Sequence, residues 1–364
     1  MKESKVRNVI RSSFAGVANY AILFFLNLLS RNLFLQYIGL DYLSMAQVIN
    51  NLLTIIAFSE LGLSNAVLFM LYRPVAERDE GKIVRILYLY RQFNRYVGGA
   101  IAVLGLLFMP FLSLFIRTDI PMSTVNFVYV LNLAAAVSTY FYNYRSVLLS
   151  ANQKDYVASL ISTAVSFLRV GIQCGVIYWT HDYILFLLTG IIASIIQNAM
   201  VYFQTGRMYS FIRSFERIHQ SEKIKQERKE LRTNIFSMSS VRIAGIVIDN
   251  TDTILLSWIN TLLVGLCSNY MMISNGLKGV VSIVQNTFLH SVGISLAEKE
   301  PEQKFLLFRQ LLMLNTYLSG MVIVGLFVLW NAFVVLWIGD QYVIDFLLFF
   351  ALLLNLGWNF MISP

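Results

Sequence analysis

Ten stretches of this sequence, about residues 12–38, 43–72, 96–116, 122–148, 157–179, 183–204, 236–258, 262–294, 306–337 and 342–363, stay predominantly apolar for long enough to cross a bilayer. A spanning helix takes about 20 such residues. No water reaches the hydrocarbon core, so the backbone there must satisfy its own hydrogen bonds as a helix or a closed barrel. Barrel strands would alternate apolar and polar positions over about 10 residues, and these runs are continuous. The expected class is an all-α polytopic membrane protein with about ten transmembrane helices. The first run is too long, and too rich in Asn and Arg, for the apolar part of a cleaved signal peptide. It is expected to remain as the first helix.

Lys and Arg report orientation, because cytoplasmic connections carry their excess. Four lie in the N-terminal stretch (Lys2, Lys5, Arg7, Arg11), six in 73–95, then Arg145 and Lys154, eight in 207–232, and finally Lys299, Lys304 and Arg309. The connections between these hold only Arg117. The N-terminus is therefore expected in the cytoplasm, the chain in the cytoplasmic membrane, and the formal charge of +8 is a topology signal. No basic patch interleaved with aromatics points to nucleic acid. Cys174 and Cys267 fall inside predicted helices with no His at ligand spacing, and His181, His219 and His290 are scattered. Neither a disulfide, a metal site nor a catalytic cluster can be assembled from them, so no enzyme activity and no bound cofactor are expected.

The chain also repeats itself. "EGKIVRILYLYRQFNRYVGGAIAVLGLLFMPFLSLFI" from Glu80 aligns with "EQKFLLFRQLLMLNTYLSGMVIVGLFVLWNAFVVLWI" from Glu302, with Lys82 on Lys304, Gly98 on Gly320 and Phe111 on Phe333. The preceding helix aligns with one residue less, Leu35, Tyr37 and Ile38 matching Leu256, Trp258 and Ile259. A period that contains six helices makes the second half enter the membrane in the same direction as the first, the parallel kind of repeat. Two six-helix lobes are implied, 1–206 and 236–364, the second ending after four helices and so incomplete. Residues 207–235 between them are polar, with Met208, Phe211, Ile212, Phe215 and Ile218 at helical spacing. They read as an amphipathic linker helix on the cytoplasmic surface.

Charges interrupt the apolar runs at Arg31, Glu60, Arg169, Arg242, Asp249, Asp252 and Lys278. Facing lipid, at roughly 2.5–3.5 kcal/mol each, they would together cost about 20 kcal/mol. They must face one another or water. Arg169 and Arg242 read as lying towards helix ends, where a long side chain can reach the interface. Asp249 and Asp252 are three apart and share a helix face. In the repeat Arg31 takes the position of Asp252, suggesting a charge pair across the lobe interface, and Glu60 with Lys278 is a second candidate pair. Each fits either a static bridge or a gate that forms when one side is shut. Tyr20, Asn27 and Arg31 fall on one face of the first helix beside Asn19. Tyr140, Tyr142, Asn143 and Tyr144 follow in "STYFYNYRS", where Tyr142 and Tyr144 read first as an interfacial aromatic belt.

"FSELGLSNAVLFMLYRPVAERDEGK" (58–82), "LLSANQKDYV" (148–157) and "IVIDNTDTILLS" (246–257) resemble, in that order, the second helix with its following loop, the fourth-to-fifth helix connection and the seventh helix of polysaccharide flippases of the Wzx-like kind. These belong to the multidrug/oligosaccharidyl-lipid/polysaccharide (MOP) exporter superfamily. The resemblance runs along the whole chain except for the last two helices. It implies movement of undecaprenyl-diphosphate-linked oligosaccharide repeat units from the inner to the outer leaflet by alternating access, for capsule, exopolysaccharide or O-antigen synthesis. Polysaccharide polymerase and chain-length regulator proteins are the implied partners besides membrane lipids. A cationic cavity for the lipid diphosphate carries over to Arg31, with Lys278 and Arg242 as further candidates and Asn27 and Tyr20 as polar lining. Glu60, Asp249 and Asp252 are candidates for gating or for coupling to H+ or Na+.

Rival readings are an ion-coupled, MATE-like drug antiporter of the same superfamily, a membrane glycosyltransferase or polymerase, and a non-transporting scaffold. The antiporter would be expected to have a more acidic cavity than Arg31 and Lys278 suggest. The enzyme would need a large loop for catalytic groups, and the external connections are only a few residues long.

Overall fold

The computed structural model describes residues 2–57, 63–212, 227–229, 231, 233, 250–298 and 301–362. Regular structure among them is entirely helical: α1 (Lys2–Tyr37), α2 (Leu40–Ile56), α3 (Leu63–Glu77), α4 (Glu80–Phe108), α5 (Leu112–Phe115), α6 (Met122–Tyr142), α7 (Ser146–Ala151), α8 (Asp155–Thr180) and α9 (Tyr183–Met208) come first. They are followed by α10 (residues 250–259), α11 (Thr261–Glu298), α12 (Pro301–Ile338) and α13 (Phe346–Ile362). Among the described residues six segments are long and apolar enough to cross a membrane, Ala18–Tyr37, Glu80–Phe115, Met122–Tyr142, Asp155–Thr180, Tyr183–Met208 and Asn315–Ile338. Two compact units emerge, Met1–Val264 and Gly265–Pro364.

Helix boundaries keep the register of the sequence repeat. Leu40 and Thr261 begin, and Glu77 and Glu298 end, matching stretches. The stretch from α4 to α5 likewise matches α12, with one local difference. Residues Met109–Phe111 form a 3₁₀ turn between α4 and α5, whereas α12 is continuous. The cause is Pro110, which lacks an N–H and crowds the preceding turn. Its counterpart, Ala332, does neither. The helix also starts well before the apolar run at 96, because Asp79 caps it by accepting from the Lys82 N–H at 2.8 Å.

Within the first unit, α1 packs along α8, α8 pairs with α9 and α4 with α6. The α4–α6 approach is close because Gly105 has no side chain. A Cβ there would stand 2.5 Å from a Leu133 methyl, and the Tyr129 hydroxyl donates to the Gly105 carbonyl at 2.9 Å. Leu63, Met70 and Leu71 of α3, Ile83, Leu87 and Tyr90 of α4, and Val147 and Leu148 of α7 form one buried cluster at one end of the unit. The basic connections 73–95 and 145–154 thus converge on the same end. Tyr37, which meets Tyr178 and His181 with ring centroids 6.2 and 5.1 Å apart, marks the opposite end.

The segment after α9 returns to this basic end. Tyr209 leaves the helix at φ −129°, ψ 79°, so the continuous amphipathic helix read from Met208 onward is broken at its start. Ile212 and Leu231 then insert into the buried cluster, and Arg85 Nε donates to both carboxylate oxygens of Glu227 at 3.0 and 3.2 Å. Ile212 therefore buries its side chain against protein helices. Phe215 and Ile218 lie outside the described residues.

The second unit has its own aromatic core. Tyr270, Trp330 and Phe349 pack with centroids 5.3–6.4 Å apart. The Tyr270 hydroxyl donates to Asn331 Oδ1 at 2.7 Å and accepts from the Ile344 N–H at 3.4 Å, joining α11 to α12 and to the turn before α13.

Candidate functional site

The polar face read on the first helix is carried by α1, where Asn27 is exposed and Tyr20 and Arg31 are half-buried. α1 and α8 run in the same direction. Near one end of the pair the Thr163 hydroxyl donates to Asn19 Oδ1, and near the other Tyr37 reaches Tyr178 and His181. That register puts Arg169 at the level of Phe25 to Leu28, about one turn along the axis from Arg31. Arg169 had been expected near a helix end; it sits mid-helix in α8 (Asp155–Thr180), with its Nε buried and without a hydrogen-bond partner. Two guanidinium groups thus occupy neighbouring depths on parallel, packed helices.

Asp252 is half-buried on α10, in the first unit, and Lys278 is half-buried on α11, in the second. Glu60, Arg242 and Asp249 lie outside the described residues. The shared face of Asp249 with Asp252 and the pairing of Glu60 with Lys278 therefore have no described geometry. Cys267 is buried and Cys174 half-buried, both as free thiols.

Towards the basic end of the first unit lies a cavity of about 270 Å³. Asn19 of α1, Tyr142 of α6, Ser146 of α7, Ser159 and Ser162 of α8, and Gln197 and Asn198 of α9 supply its polar lining, with Ala158 and Val201. Sequence reading had singled out Asn19 and Tyr142. The other residues carried a signal too, Ser159 and Ser162 sharing a helix face and two adjacent amides interrupting the apolar α9. Only the packing of α1, α8 and α9 brings them to one place. Every lining side chain is uncharged, so the cavity can hydrogen-bond a ligand but cannot transfer a proton at neutral pH or neutralise an ion.

Behind one cavity wall is a cation held by aromatics. Arg145, counted from sequence only as a topology charge, is 9% exposed. Its guanidinium lies 3.7 Å from the centroid of the Tyr202 ring and 5.7 Å from that of Tyr144. Nε donates to the Tyr144 hydroxyl at 3.2 Å, and Nη1 to the Tyr202 carbonyl at 3.4 Å. Gly206 makes room, since a Cβ there would stand 2.5 Å from the same Nη1. Tyr202 in turn meets Tyr142 edge-on, with centroids 5.9 Å apart. Tyr144 is 1% exposed, which overturns its reading as an interfacial belt residue: its ring is consumed by Arg145, Tyr202 and the buried cluster. Tyr142 keeps an exposed edge and lines the cavity.

No protein-family model and no curated protein matches the sequence. Solved structures do. The eukaryotic MATE transporter AtDTX14 superposes with a TM-score of 0.66 at 14% identity, covering 98% of this chain and 80% of its own. A multidrug resistance MATE family transporter of the MOP superfamily, in an outward-facing conformation, gives 0.62 at 13% identity over 99% of this chain and 80% of its own. A MOP-superfamily transporter from Pyrococcus furiosus gives 0.54 at 13% identity over 98% and 77%. At such identities the likeness is one of fold. With its long apolar helices, the chain is a multi-pass membrane protein whose fold is that of these MATE transporters.

Proposed function

We propose that this protein flips undecaprenyl-diphosphate-linked oligosaccharide repeat units from the inner to the outer leaflet of the cytoplasmic membrane, for assembly of a capsule, exopolysaccharide or O-antigen. The observation that carries the reading is the presence of cationic and neutral polar groups inside the apolar helices of the first unit. Arg31 and Arg169 stand at neighbouring depths on α1 and α8, and a cavity of hydroxyls and amides lies nearer the basic end. Moving a diphosphate and several sugars through hydrocarbon without compensating polar groups is prohibitive. Guanidinium groups suit the diphosphate, which they bind through paired N–H donors, and the polyprenyl tail stays in lipid. In this reading the basic end is cytoplasmic and loads substrate, and the polymerase and chain-length regulator act downstream on what is delivered outside. Alternating access needs two arrangements of similar energy, and Arg31, Asp252 and Lys278 are the described charges whose pairing would differ between them.

The test is protein-dependent movement of a lipid-diphosphate oligosaccharide in sealed vesicles, with Arg31→Ala and protein-free vesicles as controls. Loss of movement in a folded Arg31→Ala protein is expected. Full activity in that variant would remove Arg31 from the substrate path. Collapsing a proton or sodium gradient tests coupling through Asp252, Glu60 and Asp249, and unchanged rates under both would end that assignment.

A drug antiporter is the second reading, favoured by the MATE transporters that share the fold. Efflux of a cationic dye driven by an ion gradient, with no lipid-linked substrate moved, would select it.

A further inference from the structure

We infer that the cavity between α1, α6, α8 and α9 is a subsite for a single neutral sugar unit of the transported glycan; the identity of this ligand rests on the flippase reading above. The argument starts from hydrogen bonding. Tyr142, Ser159, Ser162, Gln197 and Asn198 all line the cavity, Tyr142 exposed and the others half-buried, and none of their side chains is hydrogen-bonded to another described residue. Polar groups gathered inside an apolar bundle are normally satisfied by neighbours. Here their donors and acceptors point into one shared space. An amide offers an N–H donor and a carbonyl acceptor side by side, which matches two adjacent ring hydroxyls that must each donate and accept. Gln197 and Asn198 provide two such pairs, and the serine and tyrosine hydroxyls adapt to whichever partner remains.

Size and charge narrow the ligand. A volume of about 270 Å³ falls just under the ~300 Å³ at which drug-sized sites begin, room for one pyranose ring and not for a disaccharide. A bare monovalent cation would need oxygen ligands closed tightly around it, and no carboxylate lines the space. A sugar acid would bring a negative charge with no cation in the lining to meet it. Arg145 is turned away, its guanidinium stacked on Tyr202 behind the wall. The ligand is therefore hydroxyl-rich, ring-sized and uncharged. The position towards the basic end puts this subsite on the side from which the proposed substrate would load.

The experiment uses the full chain in lipid nanodiscs and saturation-transfer NMR with methyl glycosides as probes. In the unaltered protein a neutral methyl hexoside or N-acetylhexosaminide is expected to bind at least tenfold more tightly than the corresponding methyl uronate, with no competition from sodium. Gln197→Leu and Asn198→Leu are each expected to weaken neutral binding about tenfold, since each leaves substrate hydroxyls unmatched. Ala158→Phe, from a different helix, should abolish binding by filling the space, and melting curves identify which variants are folded. Equal binding of uronate and neutral glycoside, competition by sodium, or unchanged binding in a folded Gln197→Leu or Ala158→Phe protein would overturn the subsite. The two readings fail separately. Flipping that persists with glycoside binding indifferent to the cavity variants removes the subsite and keeps the flippase, whereas cavity-dependent glycoside binding without flipping of any lipid-linked oligosaccharide does the reverse.

Discussion

Replacing Arg145 with Met tests whether a buried, aromatic-held cation organises the first unit. A desolvated cation–π contact contributes about 2 kcal/mol, and the guanidinium sits 3.7 Å from the Tyr202 centroid. Its hydrogen bonds to the Tyr144 hydroxyl and Tyr202 carbonyl, at 3.2 and 3.4 Å, are long for N–H donors and add about 0.5 kcal/mol each. The expected loss is about 3 kcal/mol. At ~2–4 °C per kcal/mol for a unit of this size, melting should fall by about 6–12 °C. A thiol-reactive dye reads this directly in detergent, because Cys174 is half-buried and Cys267 buried. Arg145→Lys should recover little, since an ammonium on a flexible stem cannot stack as a planar guanidinium does. Gly206→Ala should imitate Arg145→Met, because the new Cβ would have to displace Nη1. The two changes should also fail to add when combined. Wild-type melting in Arg145→Met would refute the account. So would a Gly206→Ala effect that is undiminished in the Arg145→Met background.

Burial raises the Glu227 carboxyl above its ordinary 4.5, outweighing the downward pull of Arg85. The docked form therefore holds its proton more tightly than the undocked one, so docking weakens as pH rises through the interval from 4.5 to the raised value and is level above it. Hydrogen exchange at residues 227–233, corrected for intrinsic rate, should slow on acidification through that interval, and Glu227→Gln should remove the dependence. Gly105→Ala should cost about 1–3 kcal/mol through its clash with Leu133, seen as a lower melting temperature that Leu133→Ala partly restores. Tyr270→Phe should destabilise the second unit by about 1–2 kcal/mol, because Asn331 and the Ile344 N–H both lose their partner; unchanged reactivity of the buried Cys267 on heating would contradict it.

The helices were legible because a bilayer leaves so few options for a backbone. Continuous apolar runs at 157–179 and 183–204 became α8 and α9 within a few residues. Less legible was whatever depends on a single turn of backbone or on convergence between helices. The start of α4 at Glu80 is polar and reads as loop, yet the Asp79 cap and the contacts of Ile83 and Leu87 make it helix. The burial of Arg145 was not legible because counting charges by position says nothing of burial. A guanidinium can be stacked on two tyrosines as readily as solvated, and only the packing of the 3₁₀ turn Asn143–Arg145 against α9 decides which. The cavity was half-visible for the same reason. Asn19 stands out in α1, but Ser162 and Gln197 become informative only when the parallel register of α1 and α8 places them opposite it.

The division of polar groups within the first unit bears on how one transporter could handle a substrate of two chemistries. A charged group and a neutral ring make opposite demands, since a cation close to a sugar gains little while a cation close to a diphosphate gains much. Lining the whole path with Arg would hold the diphosphate too tightly to release it, and equally tight binding in every state shifts no equilibrium. On the proposed flippase reading, keeping Arg31 and Arg169 apart from the uncharged cavity near Tyr142 and Gln197 would limit the strong contacts to one part of the substrate. A glycan would then be engaged through hydrogen bonds that each contribute about 1 kcal/mol, weak enough to break singly as the substrate moves. Selectivity among glycans and the energy of anion capture would in that case be separable by mutation. Gln197→Leu should alter which oligosaccharide is moved, whereas Arg31→Ala should lower movement of all of them alike. A cavity variant that slows every substrate equally would mean instead that the neutral groups serve the fold of the lobe and not the choice of cargo.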